Sequence, residues 1–97
     1  MKISLNAQAE LELVEGALYY AQKANSDVAQ AFISEFDRSA KLLGEHPKIG
    51  ATWHGSIRRL PFRRFPYSIV YYLRESEVRI LAVAHQRRRP GFWKGRT

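Results

Sequence analysis

The period of the apolar positions changes several times along the chain, and each change marks an element. Lys2 to Leu5 alternates polar and apolar residues, with Ile3 and Leu5 on one face, as a short edge or closing strand does. Asn6 follows, a residue whose side-chain oxygen can accept from the first free N–H groups of a helix. Leu11, Val14, Leu18 and Ala21 then recur at spacings of three, four and three, which predicts a helix with that stripe turned inward. Glu10, Glu12 and Glu15 crowd its first turns, where the positive end of the helix dipole favours them. Tyr19 and Tyr20, near its end, read as packing residues.

Asn25-Ser26-Asp27 breaks this pattern and restarts it. Asp27 with Gln30 resembles a capping box, and Ala29, Phe32, Ile33, Phe36, Ala40 and Leu43 lay out a second apolar stripe. Two helices joined by a short polar turn form a helical hairpin. Gly44 and Pro47 end it, and residues 47–50 lead into an expected loop carrying Trp53 and His54.

From Ile57 the pattern becomes that of strands. Pro61 and Pro66 each remove a backbone donor, so the first of these strands is expected to be interrupted or to lie at a sheet edge. Tyr67 to Leu73 and Val78 to Ala84 are rich in β-branched and aromatic residues, and Arg74-Glu75-Ser76-Glu77 connects them as a β-hairpin. Because Tyr67 to Leu73 is apolar at almost every position, the pattern leaves open which residues face which side. The order is β-α-α-β-β-β: an α+β fold with an N-terminal helical hairpin packed on a mainly antiparallel sheet. At 97 residues the chain is expected to form a single domain, 1–97.

Composition narrows the chemistry. There is no cysteine, which removes disulfides and thiolate metal sites and fits a reducing compartment. The N-terminus lacks a signal-peptide pattern, and no apolar run approaches the roughly 20 residues of a membrane span. A cytoplasmic protein with no membrane partner is expected. The net charge of +7 is segregated: residues 1–56 carry five Lys/Arg against seven Asp/Glu, whereas residues 57–97 carry eleven against two. A one-sided field of this kind suits a polyanionic partner, nucleic acid or an acidic protein segment.

Arginines bracket the hairpin, with Arg58, Arg59, Arg63 and Arg64 before it and Arg87, Arg88 and Arg89 after it. Three adjacent like charges repel one another unless something anionic meets them. Arg63 and Arg64 either face solvent or lay their stems on neighbouring aromatics. His85 is the one histidine inside the basic hairpin, either a proton shuttle near neutral pH or a strand-end residue hydrogen-bonded locally. His46 and His54 have no carboxylate or thiol at ligand spacing, so no metal site is expected. A plain nucleic-acid-binding domain would hold phosphates with these arginines and stack bases on Tyr71, Tyr72 or Trp93.

The element order, Pro47 with Gly50, the Arg58-Arg59 pair, Phe65-Pro66-Tyr67, Ile69-Val70-Tyr71, and above all Ala82-Val83-Ala84-His85-Gln86-Arg87-Arg88 followed by Pro90-Gly91-Phe92-Trp93, resemble the RelE/ParE toxin superfamily. The likeness runs over essentially the whole chain. It implies the toxin half of a type II toxin–antitoxin system, also called a plasmid stabilization protein. Such a toxin is neutralised by a cognate antitoxin, and the pair binds its own promoter DNA; no cofactor is implied.

The superfamily divides by target. RelE-like members cleave mRNA on the ribosome, which requires a base, cations for the pentavalent phosphate and an acid for the leaving oxygen. The resemblance places Arg59 and Arg87 at basic positions of that branch and Trp93 near its catalytic tyrosine, while Pro61 and Ser68 stand where it has a lysine and an arginine. ParE-like members inhibit DNA gyrase, which asks for a docking surface and no catalytic residue. The tail from Arg87 to Trp93 suits such a surface, since arginine and tryptophan are favoured interface anchors. The expectation is therefore a ParE-like toxin whose target- or nucleic-acid-binding residues are Arg58, Arg59, Arg63, Arg64, Arg87, Arg88, Arg89 and Trp93. A RelE-like nuclease using Arg59, Arg87 and His85 is the alternative, and a non-toxic nucleic-acid-binding module a further one.

Overall fold

The computed structural model describes residues 1–97, which fold as β1 (Lys2–Leu5), α1 (Ala7–Lys23), α2 (Ser26–Glu45), β2 (Ala51–His54), β3 (Ile57–Pro61), β4 (Tyr67–Arg74) and β5 (Glu77–His85). The strands make one sheet in the order β1-β5-β4-β3-β2. β1 lies parallel to β5, and every other pairing is antiparallel. The expected α+β architecture is present, with one strand more than the sequence pattern indicated.

That additional strand is β2. Trp53 and His54 lie on it and not in a loop, because Gly55, at φ 57°, allows a two-residue turn that folds β2 back against β3. β2 takes the sheet edge and β3 becomes internal. Pro61 is tolerated there as the last residue of β3, opposite Ser68.

The helices follow the sequence pattern unevenly. Asn6 caps α1, its Oδ1 accepting from the Ala9 N–H at 2.8 Å. The residue capping α2 is Asn25, which accepts from the Val28 N–H at 3.0 Å, while Asp27 sits in the first turn and is not the cap. Along α2 the expected stripe is inward: Phe32, Phe36 and Leu43 are buried, with Ile33 and Ala40 packed beside them. Along α1 the expected stripe is outward. Leu11, Val14, Leu18 and Tyr19 are 57, 52, 55 and 50 % exposed, and the inward face is Ala9, Leu13, Gly16, Ala17 and Tyr20. Small residues face inward because the helices touch there: a Cβ built on Gly16 would lie 2.6 Å from Phe32 Cζ.

Both faces of the sheet are covered. On the helix side Ile69, Tyr71, Val78, Ile80 and Val83 pack against Phe32, Phe36, Leu43 and Phe62. On the other side Val70, Leu81, Ala82 and Ala84 are covered by Trp93, with Trp53, Ile57, Tyr72 and Phe92 around it. This explains the unbroken apolar run in β4, since strands buried on both sides lose the alternation of a half-exposed sheet.

Two polar ties fix the loops that carry the site. The Tyr71 hydroxyl accepts from the Gly50 N–H at 3.0 Å and donates to the Pro47 carbonyl at 2.8 Å, anchoring the chain between α2 and β2. Burial pushes that phenol up, and the Gly50 bond and nearby Arg58 only partly oppose it. Glu35, buried on α2, accepts from the Arg63 main chain at 2.8 Å and from Arg38 at 2.7 Å. Burial alone would raise this carboxyl, but the bonds from Arg38 and Arg63 outweigh it and hold it below its ordinary value.

Candidate functional site

The β3–β4 turn and the segment after β5 meet at one end of the sheet. Tyr67 pairs with His85, and the Gln86 N–H reaches the Pro66 carbonyl at 2.9 Å. This pairing brings Arg63 and Arg64 to the same end as Arg87, Arg88 and Arg89, so five of the eight expected binding residues are gathered. Arg87 and Arg89 are exposed and form no ion pair. Arg63 and Arg64 are exposed, the Arg64 guanidinium lying 5.8 Å from the Phe65 ring.

The other three lie differently. Arg58 is a brace, donating to the carbonyls of Lys48 and Gly50 at 3.0 and 2.8 Å. Arg59 points to the sheet face opposite the helices, its guanidinium 4.5 Å from the centre of the Trp53 ring. Trp93 is only 4 % exposed and packs on Trp53 with ring centres 4.4 Å apart. It is core, not a presented anchor. Tyr71 is likewise buried, so two of the three rings expected to stack bases are inside the protein.

Between Arg59 and Arg88 lies a cleft of about 230 Å³, into which Ser68, His85 and Gln86 also face. Trp53 and Phe92 form its walls. Arg88 lies 4.2 Å over the Phe92 ring and reaches Glu12 at 3.4 Å. The His85 Nδ1 accepts the Arg87 main-chain N–H at 3.1 Å, which leaves the ring proton on Nε2 and realises the strand-end reading of this histidine. No three His, Asp or Glu side chains converge as metal ligands.

The structure adds residues that the sequence pattern did not single out. Glu12 accepts from the Val83 main chain at 3.1 Å, from Arg96 at 2.9 Å and from Arg88. It thereby ties α1, β5 and the C-terminal tail together. Nothing in the spacing of Glu10, Glu12 and Glu15 distinguished it. Arg96 also donates to the Leu81 carbonyl at 3.0 Å.

A family model described as the ParE toxin of the type II toxin–antitoxin system parDE matches residues 3–90. The chain belongs to this family. No curated protein matches the toxin in sequence. Among solved structures, the chromosomal ParDE toxin–antitoxin system from P. aeruginosa aligns with a TM-score of 0.78 at 19 % identity, covering 88 % of the toxin and 95 % of that chain. At that identity the likeness speaks for a shared fold.

The toxin has a second surface beside the basic one. A groove of about 180 Å³ runs between α1 and the end of β5, with Glu12, Gly16 and Tyr19 on one wall and Tyr67, Val83 and His85 on the other. The exposed stripe Leu11, Val14, Leu18 and Tyr19 lies on the same helix. An apolar row of this length on a small protein is the kind of surface that partners cover. No helix of the toxin is long and apolar enough to cross a membrane.

Proposed function

We propose that the toxin acts on DNA gyrase in the cytoplasm, as a docking protein and not as a ribonuclease. One observation carries this reading: the basic cleft is furnished with cations but poorly equipped for proton transfer. Near the position of the RelE-type tyrosine stands Trp93, an indole buried against Trp53 that can act neither as acid nor as base. Pro61 and Ser68 supply no charge at the remaining positions, and His85 gives its Nδ1 to the backbone. Phosphoryl cleavage without an acid for the leaving oxygen loses a large part of its rate.

Neutralisation by a cognate antitoxin is part of the same proposal. An amphipathic, acidic antitoxin segment would lay its apolar side on Leu11, Val14, Leu18 and Tyr19 and its carboxylates toward Arg87, Arg88 and Arg89. Burying these apolar groups would supply most of the affinity, and the charges the capture rate. The pair would then bind its promoter DNA.

The test is pulse labelling of DNA and protein synthesis just after the toxin is induced alone, with Arg87→Ala beside it and a supercoiling assay on purified gyrase. DNA synthesis is expected to fall first and supercoiling to be inhibited. Prior loss of protein synthesis, abolished in the Arg87→Ala variant, would overturn the reading in favour of mRNA cleavage. A Leu18→Glu toxin should remain toxic when the antitoxin from the same operon is co-expressed.

A further inference from the structure

We infer that the cleft between Arg59 and Arg88 is a phosphate pocket that grips one phosphodiester of duplex DNA without reading its bases. The inference stands on the chemistry of the cleft and not on the gyrase reading, so a toxin that ignored gyrase would still bind DNA here.

The polar groups facing the cleft can all donate a hydrogen bond. Arg59 and Arg88 offer guanidinium N–H groups, His85 its Nε2–H, Gln86 an amide and Ser68 a hydroxyl, and no carboxylate faces the cleft. Ser68 is 4 % exposed, yet its hydroxyl finds no partner within the protein and faces into this space. That hydroxyl is reached by solvent from the cleft, so an anion bound there would find it free to donate.

The two arginines are also held ready. Each guanidinium lies over an aromatic ring, Arg59 on Trp53 at 4.5 Å and Arg88 on Phe92 at 4.2 Å. Stacking occupies the flat face and leaves the N–H edge for a planar, two-point grip on an anion. Arg59 donates no hydrogen bond within the protein, and Arg88 only a long one of 3.4 Å to Glu12, whose charge Arg96 already meets at 2.9 Å. By contrast Arg58, Arg74, Arg79 and Arg96 all donate at 3.1 Å or closer to carbonyls or carboxylates of the protein.

The same stacking identifies the ligand. Trp53 is covered by Arg59 on one side and contacts Trp93, and Phe92 lies under Arg88, so the cleft presents no free ring on which a base could stack. Single-strand binders depend on such rings. At about 230 Å³ the space suits a phosphate and part of its sugar, smaller than the pockets that enclose whole small molecules. Arg87 and Arg89, exposed on either side of Arg88 in the chain, are free to follow the neighbouring phosphates. This is backbone contact, which positions a protein on DNA without sequence choice.

The experiment is fluorescence anisotropy of the toxin alone with a labelled short duplex, from about 50 to 200 mM salt. Arg59→Gln and Arg88→Gln should each weaken binding about tenfold and lower the salt slope by about one, and Ser68→Ala should weaken it about threefold. Arg74→Gln removes the same charge from the far end of the hairpin, where Glu77 holds it, and should change affinity by less than about twofold. Arg59→Lys, which keeps the charge and loses the fork, should fall between wild type and Arg59→Gln. Equal losses for Arg74→Gln and Arg59→Gln would overturn the pocket and leave only diffuse attraction. Tighter binding of a single strand than of the duplex would overturn the backbone reading. Binding of inorganic phosphate without any duplex binding would overturn the assignment to DNA.

Discussion

A glycine inside a helix usually weakens it, so replacing one by alanine is expected to stabilise by about 1 kcal/mol. Gly16 of α1 should do the opposite. A methyl group there would approach Phe32 Cζ to 2.6 Å and Cε2 to 2.8 Å. Phe32 is fully buried and cannot retreat: Tyr20, Phe62, Phe65 and Tyr67 stand around its ring with centres 5.4, 5.5, 5.3 and 4.9 Å away. Forcing a methyl into such a site costs about 1–3 kcal/mol and occasionally more. At so close an approach the upper end applies, and after the helix gain the net loss is about 1–2 kcal/mol. For a domain of this size that lowers Tm by at least roughly 4–8 °C. Thermal unfolding followed by circular dichroism, with urea titrations to confirm an unchanged m-value, measures it. The double variant Gly16→Ala/Phe32→Leu should be less destabilised than the sum of its parts, because the shorter side chain makes room for the methyl. A rise in Tm for Gly16→Ala, or strict additivity in the double variant, would refute the claim that the helices meet through this contact.

Two further tests address the loops around the site. Tyr71→Phe removes one partner from both Gly50 and Pro47, and should cost about 1–3 kcal/mol in a urea titration while leaving the sheet intact. The Glu35 carboxyl lies below its ordinary value of 4.5 in the folded toxin. Its contribution is therefore complete above that value and lost as the pH falls through the folded one. The wild type should lose Tm more steeply below about pH 4.5 than Glu35→Gln does, and parallel curves would exclude Glu35 as the cause.

How far the sequence could be read depended on whether an element's packing partner was local. Along α2, Phe32, Ile33, Phe36, Ala40 and Leu43 formed a single candidate stripe, and the structure buries it. α1 offered two stripes. The larger side chains, Leu11, Val14 and Leu18, drew attention away from Ala9, Gly16 and Ala17, whose value lies in being small enough for α2 to approach. β2 was hidden by its length of four residues, although Gly55 between two extended stretches was a hairpin signal. Trp93 looked like a surface anchor because the tail follows three arginines. Its burial depends on the second sheet face, to which residues as distant as Trp53 and Leu81 contribute. The basic end was legible as a set of residues but not as an arrangement. Charge segregation marked the arginines, whereas their division into braces, free cations and stacked pairs follows from hydrogen bonds and rings that spacing does not encode.

The parallel pairing of β1 with β5 has a consequence for timing during synthesis. Ile3 and Leu5 align with Val78 and Ile80, so β1 has no strand to pair with until β5, the last strand of the sheet in chain order, has been made. The central place in the sheet, between β1 and β4, belongs to β5 itself. Contacts this distant along a chain form late. The nascent polypeptide therefore spends most of its synthesis with an unclosed sheet, and His85 and Arg88 reach their places only after Arg59 has waited for them. A copy that stops short of Glu77 lacks the strand on which the basic end is built.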